Sequence, residues 1–156
     1  MASTVDVVEF VLSGERYALD IQLAREIVEM IPITPIPRAP PYISGVINLR
    51  GEITNIMNLN TLLRLPNQEI RENQKIIVLV PEAASGSNVG IIVDEVLSVL
   101  QIAQSDIENL GEGLASEVSG FVKGIIKLKG DDSEKKGTDL IIWIDMKRVL
   151  EDVAKN

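Results

Sequence analysis

The 156-residue chain contains no cysteine and no histidine, and its 15 basic and 23 acidic side chains leave a net charge of −8. These absences exclude disulfides, thiolate nucleophiles and sulfur metal sites, and they remove the commonest general base and metal ligand; the acidic balance disfavours nucleic acid and anionic membrane surfaces as partners. With 46% hydrophobic but only 3% aromatic residues, mainly Ile, Val and Leu, the chain can build one large domain or two small units with true cores, and its composition favours β structure.

In chain order, MASTVDVVEF lacks the basic and apolar regions of a signal peptide. Val5 to Leu12 reads as a strand, and Ser13-Gly14-Glu15-Arg16 turns it into the alternating Tyr17, Leu19 and Ile21, a predicted hairpin. Glu26 to Ile33 resumes a β-branched run. Five of the seven prolines then fall between Pro32 and Pro41, which makes that stretch an edge or extended connector, because proline removes a ladder donor and fixes φ. Ile43 to Leu49 and Ile53 to Met57 form a second hairpin around Arg50-Gly51-Glu52, with Asn58 capping a short helix through Leu63. Strands follow at Ile76 to Val80, over the long run Val89 to Ile102, near Phe121 to Leu128, and at Leu140 to Ile144. Between Gln104 and Ser119 the reading is a loop with Ser105 or Asp106 as a helix cap. From Asp145 onward, Met146, Val149, Leu150 and Val153 make the apolar stripe of a C-terminal helix.

The chain repeats itself. GVINLRG at Gly45 and GIIKLKG at Gly124 lie 79 positions apart, and EITNIMNL (52–59) resembles DLIIWIDM (139–146), each followed by a helix. YALDIQLAREIVEMI (17–31) echoes VGIIVDEVLSVL (89–100) if three residues are inserted in the first copy, which sets Glu26 on Glu95. Internal duplication predicts an all-β fold of two small barrels. The first is drawn mainly from 15–66 and the second mainly from 75–145, with exchange of strands between them left open, and the helix occupies 145–156.

GVINLRG lacks the glycine spacing and lysine-hydroxyl pair of a phosphate loop and lies between strands. Its glycines are structural: Gly45 admits a neighbouring backbone, and Gly51 supplies positive φ in the turn. Arg50 is then the polar side chain of the motif, either a solvated turn charge or the partner of a carboxylate, with Glu26 the candidate. DDSEKKG (131–137) fails the spacing of a calcium loop, and Asp94-Glu95 reads as bend or edge charge rather than a catalytic pair. No motif for catalysis or a cofactor emerges. Ile21, Ala24, Ile27, Val28, Val96 and Val99 are apolar beyond what two small barrels need to hide; they are either core between the barrels or a groove for a partner's amphipathic helix.

The combination of ITPIPRAPPYISGVINLRG, EITNIMNLNTLL, GIIVDEVLSVLQI and LIIWIDMKRVL, spread over nearly the whole chain, resembles the CheW family of bacterial chemotaxis adaptors. The resemblance implies two SH3-like five-stranded β-barrels with short helices and a C-terminal helix, and a cytoplasmic, non-catalytic protein that needs no cofactor. It implies coupling of the cytoplasmic tips of transmembrane chemoreceptors to the regulatory domain of the histidine kinase CheA in signalling arrays, without membrane insertion or nucleic acid. Matched onto this sequence, the receptor groove comprises Val8, Ile21, Ala24, Ile27 and Val96, with Glu26 and Arg50 as polar neighbours. The kinase-facing surface comprises Thr34, Ile36, Ile43 and Gly51. Ala24 is smaller than the branched aliphatic usual there, and Asn55 and Asn58 stand where the family usually has Pro and Asp. The competing expectations are an adaptor of the same fold in another receptor-kinase pathway and a β-barrel enclosing a small ligand.

Overall fold

The computed structural model describes residues 3–66, 70–108, 121–128 and 139–154. The strands are β1 (Thr4–Leu12), β2 (Glu15–Asp20), β3 (Ala24–Glu29), β4 (Ile43–Leu49), β5 (Glu52–Asn58), β6 (Lys75–Leu79), β7 (Val89–Val93), β8 (Glu95–Ala103), β9 (Ile107–Glu108), β10 (Val122–Leu128) and β11 (Asp139–Ile144). Among the described residues two helices accompany them, α1 (Leu59–Leu62) and α2 (Met146–Ala154). Two sheets result, one in the order β8-β1-β2-β11-β10-β9 and the other in the order β3-β6-β7-β5-β4. The DDSEKKG segment and most of the 104–119 loop lie outside the described residues. The described start of that loop is a 3-10 turn at Gln104–Asp106 with no side-chain cap, leading into β9.

The duplication is visible strand by strand. β8, β1, β2, β11 and β10 occupy the positions held in the second sheet by β3, β6, β7, β5 and β4. Among the described residues each sheet has a single parallel pairing, and it falls at the same place, β11 on β2 and β5 on β7. The hairpins carrying the glycine heptapeptides share a bulge, between Ile43 and Gly45 in one and between Val122 and Gly124 in the other. Each hairpin leads into a helix whose cap residue donates its backbone N–H across 2.7 Å, from Asn58 to the Tyr42 carbonyl and from Asp145 to the Phe121 carbonyl. Asn58 and Asp145 also accept from the third residue beyond, Thr61 N and Arg148 N, as helix caps do.

Two readings are sharpened. The strand exchange left open between 15–66 and 75–145 is seen in the sheets: β6 and β7 pair with β3 to β5, while β1 and β2 join β8 to β11. The reason is the parallel pairing, which brings β7 beside β5 and β2 beside β11, so that the first twenty residues complete the second copy. The weaker echo also needs no insertion. Ala24 lies opposite Leu79 and Ile27 opposite Ile77, just as Val96 lies opposite Phe10 and Val99 opposite Val8, with a bulge between the two pairs in each sheet. The copies therefore align without a gap, and Glu26 corresponds to Ser98 rather than to Glu95.

Three cores follow from the period-two alternation of strands buried on both faces. Val7, Ala18, Ile102, Ile126 and Ile141 fill the first sheet's concavity, and Ile47, Ile56, Ile76, Val78 and Ile92 fill the second's. Between the sheets lies the largest, with Val8, Phe10, Leu12 and Leu19 from one side and Ile77, Leu79, Ile91 and Val93 from the other. Met146, Val149 and Leu150 of α2 close it. Strands β6 and β7 thus read as unbroken apolar runs because neither face meets water.

Candidate partner-binding groove

β3 and β8 are edge strands of their sheets. Directly paired residues share a face, so Ala24 and Ile27, opposite Leu79 and Ile77, lie on the side of the shared core, as do Val96 and Val99, opposite Phe10 and Val8. Toward the margin this core meets solvent. Ile21, Ala24 and Val96 are half-buried against it, while Ile27 is 44% and Val99 59% exposed. Two equivalent edge strands thereby present an apolar margin, Ala24 and Ile27 from one copy and Val96 and Val99 from the other.

Val8 is fully buried, so it does not line a surface; it is the buried cross-strand neighbour of Val99. Val28 likewise leaves the groove, because it pairs opposite Ile76 and packs into the second sheet's concavity. Glu26 and Arg50 do meet, in an ion pair whose side chains are 25% and 62% exposed. Arg25 adds a looser contact to Glu52 at 3.6 Å. These pairs join β3 to the β4–β5 hairpin, the two opposite edges of one sheet, and so hold its curvature. Arg50 and Gly51 have φ of 52° and 86°, the geometry of a two-residue type I′ turn, and Asn48 Oδ1 accepts from Gly51 N at 2.9 Å. The arginine is held in a conformation that favours asparagine or glycine.

The other four residues do not form a single spot. Thr34 exchanges both backbone hydrogen bonds with Val46 at 2.9 Å, Ile36 is exposed and Ile43 is half-buried. Gly51 is at the far end of β4 from Ile43, roughly 20 Å away at the rise of an extended strand. They mark a strip along the edge strand β4, with Arg50 and Gly51 at the corner where it nears the groove strand β3. Among the described residues there is no cluster suited to a metal ion and no helix long and apolar enough to cross a membrane. A cavity of about 410 Å³ lies elsewhere, lined by Tyr17, Leu63, Phe121 and Ile142. Burial, with a smaller contribution from the Glu15 charge, raises the Tyr17 pKa above 10.0.

Sequence reasoning named Val99 among the apolar candidates but missed that it is the counterpart of Ile27, which the ungapped alignment of the two copies gives. It also missed Asp20, which accepts from Trp143 Nε1 at 2.7 Å and from Lys123 Nζ at 2.8 Å; no local motif announces contacts across more than 100 residues.

Residues 6–154 match the family model of the CheW-like domain. Over 121 residues, 78% of this chain and 76% of the relative, the sequence is 34% identical to the chemotaxis protein CheW of Bacillus subtilis. It is 29% identical to the chemotaxis protein CheW of Thermotoga maritima, over 96% of this chain and 89% of that one. The crystal structure of the scaffolding protein TtCheW from Thermoanaerobacter tengcongensis superposes with a TM-score of 0.73 at 32% identity, covering 92% of this chain and 90% of that one.

Proposed function

The chain belongs to the CheW-like domain family, and from that premise we propose that it is the adaptor that couples the cytoplasmic tips of chemoreceptors to the histidine kinase CheA. Its relatives are named chemotaxis and scaffolding proteins, and a scaffold acts by holding partners together. The observation that carries the reading is the arrangement of the two surfaces. An apolar margin on β3 and β8 suits the hydrophobic face of a receptor helix, and the separate strip along β4, with Thr34, Ile36, Ile43 and Gly51, is free to take the kinase at the same time. The Arg50–Glu26 pair ties the hairpin of the strip to the strand of the groove. Contacts of modest size on two surfaces reinforce each other once receptor and kinase share an array.

Co-sedimentation tests this reading. Membranes bearing chemoreceptors are incubated with CheA, with and without the purified protein, and pelleted. The protein is expected to carry CheA into the pellet and to change its autophosphorylation rate. If both the pelleted kinase and its activity stay at the level seen without it, the adaptor reading fails.

A further inference from the structure

The chain passes between the sheets at two crossovers, and the apolar margin stands on them. β2 ends at Asp20, a 3-10 turn spans Ile21–Leu23, and β3 begins at Ala24; β7 ends at Val93, Asp94 alone intervenes, and β8 begins at Glu95. Ile21 and Ala24 belong to the first crossover, and Val96 follows the second by two residues. The placement of the groove walls therefore depends on the direction the chain takes at these two points.

An aspartate is anchored at each. Asp20 holds Trp143 Nε1 and Lys123 Nζ, and the Lys123 ammonium also lies 4.9 Å from the centroid of the Trp143 ring. Asp94 is more heavily bonded. Its Oδ2 accepts from Ser13 N, its Oδ1 accepts from Gln74 Nε2 and from Arg71 Nη2, and its own N–H donates to the Val11 carbonyl, all at 2.9 Å. Gln74 is buried and its Oε1 accepts from Arg71 N at 2.7 Å; Ser13 Oγ accepts from the buried Asn60, which also donates to the Pro66 carbonyl. One carboxylate thus joins the β1–β2 turn of the first sheet to the segment that leads into β6 of the second. A bend that served only to deter strand aggregation would require none of these bonds. Hydrogen bonds to a charged acceptor are short and directional, and several on a single-residue linker fix its exit direction.

We propose that Asp20 and Asp94 are positioning residues, which hold the edge strands β3 and β8 at the separation that makes the apolar margin a groove. For the identity of the partner the proposal rests on the receptor-coupling reading above; for the geometry it does not. The test exploits the absence of cysteine from the chain. Spin labels on Glu29→Cys and Gln101→Cys, both exposed sites on β3 and β8, report the separation of the edge strands by pulsed dipolar spectroscopy, alongside the affinity for a soluble receptor-tip fragment.

Asp94→Ala is expected to broaden the distance distribution about twofold and to weaken fragment binding about tenfold. Asp145→Ala, which removes a helix cap away from the crossovers, serves as the control: it is expected to lower the melting temperature without changing the distance. Unchanged distances in Asp94→Ala overturn the proposal, and so do altered distances with unaltered affinity. Should Asp94→Ala fail to fold, Arg71→Ala removes a half-exposed partner of the same carboxylate; broadening in that variant supports the proposal, and a wild-type distribution overturns it. A wild-type protein that does not bind the receptor fragment defeats the coupling reading, while the label distances still decide whether the aspartates position the strands.

Discussion

Gly45 and Arg50 belong to one heptapeptide and illustrate opposite uses of backbone conformation. A Cβ on Gly45 would lie 2.2 Å from the Thr34 carbonyl oxygen, at a φ of 144°. Gly45→Ala must therefore break the Thr34–Val46 bridge, and a loss of about 2–3 kcal/mol is expected in urea denaturation. Arg50 tolerates change in the fold far better. Its partly exposed pair with Glu26 is worth no more than about 1 kcal/mol, so Arg50→Glu should shift the melting temperature little while receptor binding falls. Adding Glu26→Arg should restore part of that binding. Equal loss of binding in the single and double variants would show that the two side chains act independently. Both glycine roles and the candidate pair are legible in the heptapeptide itself, because turn chemistry and close approach are local; that Arg50 itself takes positive φ is not.

At the scale of elements, the edge strands β3 and β8 carry the functional argument. Their exposed apolar residues stand at matching positions of the two copies, and neither Ile27 nor Val99 is needed to fill a core. Ile27→Asp and Val99→Asp are each expected to abolish detectable binding to a receptor-tip fragment while changing stability by no more than about 0.5 kcal/mol, as surface substitutions do. Unchanged binding in both would remove the margin as the receptor site. Strand existence and hairpin turns were readable from apolar runs and Gly-containing turns. Which exposed residue faces the groove was not, since Val28 and Val99 are equally apolar and only register separates a concavity from a surface.

For the whole molecule, the exchange of strands makes the two sheets interdependent. Residues 24–93 contain all five strands of the second sheet, yet Ile77, Leu79, Ile91 and Val93 of that sheet are buried in the core it shares with the first. Neither sheet should survive alone. Urea unfolding followed by the fluorescence of Trp143, which sits in the first sheet, is expected to coincide with unfolding followed by far-ultraviolet circular dichroism, which reports both. Two separated transitions would show that the sheets are independent units.

The sequence by itself determined the β character, the duplication and the family. Residue composition, the period of apolar residues and turn chemistry act over a few neighbours, and two copies of the same pattern cannot easily arise otherwise. Tertiary structure alone decided which strands share a sheet, where the copies divide and what the aspartates hold. Those outcomes depend on pairing between segments as far as 125 residues apart in the chain, and such pairing is selected by the burial of whole faces rather than by any local signal.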